Sequence, residues 1–354
     1  MTTPRRMLLL LLGSLLCVTL AFWLRAAARR LLDPVTVAGT DFGADEQPFA
    51  SSPQLVRDEH AVFRVRRHAQ AATWSSDAQG LIGARATPTT IPGPRILLLG
   101  DESLLDAARD DERLAVRVEG ALRSAADRLA ATHVLDASCP RAGLLQHALR
   151  LPTLVARYRP HAVVVVVASG DDLLAFEDRC LPHLDQDLQL RAPVLPPLDD
   201  PLGLAEMAAR LASPPAFARR GLVQAEFAFR SPQWPETLPP RAELCLRTLR
   251  DAAPRGALLI VLLPAPELVE PLPAGLRLSA DGERIAALGF SRRARGILLA
   301  AVEREHVAHL DALPVLAGAT GGPAFAADGA LAPAGHAALA QALAARLRRL
   351  LAAL

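Results

Sequence analysis

Residues Ala162 to Ala168 (AVVVVVA) place five consecutive valines in a row with no polar position among them. A strand sends successive side chains to opposite faces, so a run that is apolar throughout must be covered on both sides. That is the texture of a central strand in a parallel sheet flanked by helices. Arg95-Ile96-Leu97-Leu98-Leu99 and Ala257 to Leu263 (ALLIVLL) read the same way, and His133 to Ala137 and Val307 to Leu310 read as shorter strands. Helical spacing separates them. Asp110 to Ala130 carries Leu114, Val118, Leu122, Ala125 and Leu129 at three-four intervals, which lays one apolar stripe along a helix. Gly143 to Tyr158, Arg241 to Ala253, Ser291 to His306 and Pro333 to Leu354 also read as helices. Strands alternating with helices predict a three-layer α/β/α sandwich built on a mainly parallel sheet.

A chain of 354 residues with 51% hydrophobic content can bury the core of one large domain, or of one domain plus an appendage. Its net charge of +2 leaves no basic excess to hold a phosphate backbone, so nucleic acid is not an expected partner. Lysine and asparagine are both absent. With the heavy use of Ala, Arg, Leu and Pro, this points to a GC-rich, bacterial genome, and it removes any role that needs an asparagine side chain.

Met7 to Leu24 has no charged residue, is flanked by Arg5 and Arg6 and by Arg25, Arg29 and Arg30, and is close to the roughly 20 residues of a spanning helix. It reads as an uncleaved N-terminal membrane anchor, with the rest of the chain periplasmic or extracellular. The organisation expected is therefore an anchor (1–30), a linker and irregular or β-rich lead-in (31–94), and a main domain (95–354) with a Pro-rich insertion at about 181–240. Cys17 falls in the anchor, leaving Cys139, Cys180 and Cys245. No CxxC pair supports a zinc site, and no other sequence feature calls for a cofactor. Cys139 and Cys180 follow the second and third strands, expected as sheet neighbours, so a disulfide between them is weighed against two buried thiols.

Four segments fall at strand ends: Gly100-Asp101-Glu102-Ser103, Asp136-Ala137-Ser138-Cys139-Pro140, Ser169-Gly170-Asp171-Asp172-Leu173, and Asp328 to His336. With these segments the chain resembles the SGNH (GDSL) hydrolases, particularly their membrane-anchored bacterial branch. The resemblance runs from about Asp58 onward, and Tyr158 to Leu173 is similar to the family's third block. Ser76 to Leu81 resembles the turn that precedes the first core strand in that branch. In such enzymes a serine after Gly-Asp attacks an ester, a backbone N–H, a glycine and an asparagine hold the oxyanion, and an Asp and a His activate the serine. Carried over position by position, the nucleophile becomes Glu102, the second-block glycine Ser138, the third-block asparagine Asp171, and the histidine Ala330, or Leu331 under the longer Asp-x-x-His spacing. Only Asp328 keeps its type.

Each replacement removes a different part of the mechanism. Glu102 is a poor nucleophile toward esters, Asp171 turns a donor into an acceptor, and neither Ala330 nor Leu331 can act as a base. Losing one oxyanion donor alone costs about 3 kcal/mol of transition-state stabilisation. The resemblance therefore implies a hydrolase fold without the hydrolase chemistry, binding a glycan or a protein partner in cell-envelope or polysaccharide metabolism. The alternative is an active esterase or O-acyltransferase on acylated carbohydrate through a rearranged site, with Ser103 as nucleophile and His336 as base. A further alternative gathers Asp101, Glu102, Asp136, Asp171, Asp172 and Asp328 at one mouth as a Ca²⁺ or Mg²⁺ site. Against it stands a solvated acidic rim whose aspartates bond to loop backbone.

Overall fold

The computed structural model describes residue 19 and residues 48–49, 52–58, 62–83, 93–105, 109–124, 128–140, 142–169, 183–184, 188–191, 234–269, 281–326 and 329–352. Three strands come first, β1 (Pro48–Phe49), β2 (Ser52–Asp58) and β3 (Val62–Val65), paired antiparallel in that order. The main domain follows with β4 (Arg95–Leu99), α1 (Leu114–Arg123), β5 (His133–Asp136), α2 (Leu144–Tyr158) and β6 (Ala162–Ala168). After the antiparallel pair β7 (His183–Leu184) and β8 (Leu190–Arg191) come α3 (Trp234–Ala252) and β9 (Leu258–Leu263). The chain then continues through α4 (Asp281–Arg304), β10 (Ala308–Asp311), α5 (Leu313–Ala317) and α6 (Pro333–Ala352).

Five strands form one sheet in the order β10-β9-β6-β4-β5, and every pairing in it is parallel. The valine run sits at its centre. Val163, Val165 and Val167 face a layer holding Leu145 of α2, Leu246 of α3 and Leu298 of α4. Val164 and Val166 face the opposite layer, with Val118 of α1 and Leu339 and Leu343 of α6. Burying each such side chain contributes about 2 kcal/mol, so the uniform run is satisfied only by the three-layer arrangement. The α/β/α expectation is met.

Several boundaries differ from those read in the sequence. The helix expected over Asp110–Ala130 is α1, Leu114–Arg123, and Leu129 reaches the core from a separate 3₁₀ turn, Arg128–Ala131. α3 starts at Trp234, inside the expected insertion, because Trp234 and Leu238 are one helical turn apart and both bury in the core. That burial outweighs Pro239 and Pro240 within the helix. α4 likewise starts at Asp281 rather than Ser291. The second and third core strands are not neighbours: β4 lies between β5 and β6. Cys139 is buried, and Cys180, its expected partner, lies outside the described residues. So does Met7 to Leu24, apart from Thr19; among the described residues no helix is long and apolar enough to cross a membrane.

The lead-in joins the main domain directly. β5 is an edge strand, and the Ile82 N–H donates to its Asp136 carbonyl at 2.7 Å, which covers that end of the edge. Leu81 enters the main core, and Leu55, Val65, Ala69, Trp74 and Ile82 pack with Leu105, Cys139 and Ala142. The turn between them is held by Asp77, whose Oδ1 accepts from Gln79 N at 2.7 Å and Leu81 N at 3.0 Å. Gly80 makes the close pass, with φ +81° and no room for a β-carbon, which would lie 2.8 Å from the Val65 carbonyl oxygen.

At the start of α6, a β-carbon on Gly335 would stand 2.3 Å from the Ala324 carbonyl oxygen. Helix propensity favours alanine there by about 1 kcal/mol, but the clash is with backbone. Gly335→Ala is expected to lower the unfolding free energy by about 1–3 kcal/mol in urea titration; a gain would show that propensity governs this position.

Candidate functional site

The sheet order reverses between β4 and β6, and open parallel sheets bind ligands in the crevice outside the strand ends at such a point. The loops after β4 and β5, the β6 end at Ser169 and the turn before α6 belong to this mouth. Gly100 ends β4, where a β-carbon would lie 2.3 Å from Leu104 Cδ1 and 3.5 Å from Ser138 Oγ. Asp101 then caps a 3₁₀ turn over Glu102–Leu104. Its Oδ1 accepts from the Ser103 N–H at 3.0 Å and also from the Ser103 hydroxyl. Glu102, in the nucleophile's place, is the partly exposed residue of this turn, whereas Asp101 and Ser103 are buried.

The loop after β5 is stitched to this turn by Cys139 N–H donating to the Gly100 carbonyl at 2.8 Å. Within it, the Ser138 N–H donates to Asp136 Oδ1 at 3.1 Å. The backbone donor at the second-block position is therefore directed at a carboxyl group of its own loop. Burial pushes the Asp136 carboxyl above its usual range, against the opposing pull of Arg113 and of hydrogen bonds from Ser138. Ser169, at the end of β6, is buried and anchored by its N–H to the Leu263 carbonyl at 2.9 Å. Asp171 and Asp172 lie outside the described residues.

The last segment closes against the first. The Leu331 N–H donates to the Ser103 carbonyl at 2.7 Å, and Ala326 N–H donates to the Ala330 carbonyl at 2.8 Å. Asp328 lies outside the described residues. Both candidate histidine positions are apolar and inward: Ala330 is buried, and Leu331 packs in the core with Leu104, Phe325 and Leu339. His336 is fully buried in the first turn of α6, and neither ring nitrogen has a hydrogen-bond partner. Burial, then Arg117 and Arg113, push its pKa down to about 3. An imidazole so depressed is a poor proton acceptor at neutral pH.

Ser103 and His336 are thus not brought together as a catalytic pair. The serine hydroxyl donates to Asp101, and the histidine has no hydrogen-bond partner. Nor do Asp101 and Asp136 turn toward a shared ion, since each accepts from backbone two residues ahead. Among the described residues, no group of three or more His, Cys, Asp or Glu is arranged to hold a metal.

Sequence reading missed Arg113, which is 2% exposed and pairs with Asp110 at 2.9 Å. Arginine at a helix N-cap is unfavourable both as a capping group and against the helix dipole. Its place directly before the Leu114 stripe was the available signal. His147 was also missed; it is buried in α2, and burial followed by Arg150 pushes its pKa down to about 3.

No family model matches the chain, and no curated protein matches it. Solved structures similar to it include Est24, a carbohydrate acetylesterase from Sinorhizobium meliloti, at 12% identity and TM-score 0.37, covering 73% of this chain and 99% of that one. An extracellular lipase from Streptomyces rimosus matches at 14% identity and TM-score 0.42, covering 72% and 100%. A catalytic mutant of Axe2, an acetylxylan esterase from Geobacillus stearothermophilus, matches at 16% identity and TM-score 0.38, covering 74% and 96%.

The raised Asp136 pKa has a signed consequence. Below the unfolded-state value of 3.8 the carboxyl is neutral in both states, and as pH rises through the folded pKa the fold loses stability to this group. Asp136→Asn keeps an acceptor for Ser138 N–H and removes that loss. Its melting temperature should exceed that of the parent at neutral pH, with the gain shrinking as pH falls toward 3.8; a gain that does not vary with pH would refute this account.

Proposed function

We propose that this chain is a membrane-anchored, extracytoplasmic protein that has an SGNH-like fold and is catalytically silent. Its mouth binds a glycan or a protein partner in cell-envelope or polysaccharide metabolism. One observation carries the reading: the Ser138 N–H, which the hydrolase mechanism would turn toward an oxyanion, donates instead to Asp136. The buried Leu331 and Ala330 at the histidine position support it from a second segment. Anchoring is supported by the uncharged run Met7 to Leu24 and its arginine flanks. The envelope setting follows from the resemblance to the membrane-anchored branch.

An esterase or O-acyltransferase using Ser103 and His336 is the competing reading. It requires the serine to leave Asp101 and the histidine to recover a useful pKa, and each change works against burial. Purified protein is expected to hydrolyse p-nitrophenyl acetate at the rate of buffer, with Ser103→Ala making no difference. Turnover that disappears in Ser103→Ala would overturn the silent reading. Glu102→Ser combined with Leu331→His should also stay at background, because the Ser138 donor remains directed at Asp136.

A further inference from the structure

The helices that cross between parallel strands, α1 to α4, return to the edge where the strands begin, so they end on the side of the domain away from the mouth. A helix C-terminus there favours a cation, which answers its dipole. At α3 and α4 those cations are in turn neutralised by acids. Arg247 and Arg250 pair with Glu305 at 2.7 and 3.3 Å, and Arg304 pairs with Glu243. The other half of the same edge is built differently.

There a path of hydrogen bonds joins the ends of α6, α1 and α2 across the starts of the strands. Arg348 Nη2 donates to the Ala121 carbonyl of α1. Two residues on, Arg123 Nε donates to the Thr132 carbonyl at 2.8 Å and Nη2 meets the His133 ring at 2.8 Å. The His133 N–H donates to the Pro94 carbonyl at 2.8 Å, and Arg95 Nη2 donates to the Arg159 carbonyl at 3.0 Å. Along this surface Arg123, Arg157, Arg159, Arg346, Arg348 and Arg349 are exposed. Neither α2 nor α6 contains an acidic residue. The acid of α1, Glu119, is buried and pairs with Arg123 at 3.1 Å; Asp127, in the connection after α1, lies outside the described residues. The helix dipole explains the sign of this charge but not its amount, since α6 alone ends in three exposed arginines.

We propose that this end of the domain docks on the anionic phospholipid headgroups of the membrane that holds the anchor, which turns the mouth away from the bilayer. The inference rests on the anchored reading and adds the face that the domain presents to the membrane. Guanidinium groups match phosphate in shape and charge, and each arginine close to an anionic bilayer strengthens attachment about fivefold. Arg346 and Arg349 stand one helical turn apart, so one headgroup layer can meet both. The mouth end of α1 carries the exposed carboxylates of Asp110 and Asp111 instead, which such a surface repels. The 23 residues from Arg25 to Gln47 join the anchor to β1 and can reach roughly 80 Å at full extension. Either end of the domain is therefore within reach of the bilayer, and charge decides between them.

Labelling of the full chain with p-hydroxyphenylglyoxal, read arginine by arginine by mass spectrometry, tests this on nanodiscs of phosphatidylcholine with and without phosphatidylglycerol. Labelling of Arg159, Arg346 and Arg349 is expected to slow about threefold or more on the anionic discs and to recover at high salt. Arg109, whose side chain is 79% exposed ahead of α1, should label alike on both. Arg346→Gln combined with Arg349→Gln should restore fast labelling of Arg159 on the anionic discs. Equal labelling on the two discs overturns the proposal, as does slowing that reaches Arg109 equally or persists at high salt. Should the double variant fail to fold, the salt response of the parent still decides. Slowing by soluble polygalacturonate and by neither disc assigns this end to an acidic polysaccharide and also overturns the proposal. Retention by phosphatidylcholine discs reports the anchor alone. A chain that those discs do not retain removes the anchored reading, and sedimentation with phosphatidylglycerol vesicles then decides the docking face: no sedimentation overturns it.

Discussion

Because β6 is apolar at every buried position, helices must cover the sheet from both sides, and the crossovers that provide them keep neighbouring strands parallel. Parallel strands end along one edge. The loops after β4 and β5 gather there with the end of β6, and the strand order reverses between β4 and β6, where such sheets open a crevice. The existence of a mouth is thus a property of core packing. Its chemistry is set separately, by side chains that the core does not constrain.

At that mouth, the polar groups of the described loops turn to one another. The Asp101 carboxylate closes on Ser103, and the Asp136 carboxyl closes on the Ser138 N–H, so each loop meets its polar demand within itself. Leu331 turns the last segment into core while its N–H ties that segment to the Ser103 carbonyl. A fold of this kind hosts many functions, and the site decides among them.

The lead-in adds rigidity on one side. Ile82 covers the β5 edge, and the apolar group around Trp74 and Val65 seals Cys139 and Leu105 behind it. The loops after β4 and β5 are therefore backed by a second, small sheet. Arg113 lies where this backing, α1 and α6 meet, and it is the place where local satisfaction fails.

Periodicity made the core legible: the valine run, the ALLIVLL strand and the Leu114-Val118-Leu122 stripe each carry their partner requirements in their own spacing. The segments that end β4 and β5 were legible for the same reason, since Gly and Asp punctuate where a strand must stop. Strand neighbours were not, because adjacency depends on which crossover crosses which face; β4 came to lie between β5 and β6. The helix start at Trp234 was hidden by Pro239 and Pro240, which the burial of Trp234 and Leu238 overrode. The sequence by itself determined the layered fold and the residue types Glu102, Ser138, Ala330 and Leu331 in the segments it singled out, because both follow from residue type and local spacing. Only the tertiary structure decided that the Ser138 N–H turns to Asp136, that His336 is buried beyond use as a base, and that Arg113 stands inside with unmet donors. Hydrogen-bond direction and burial are settled by neighbours distant in the chain.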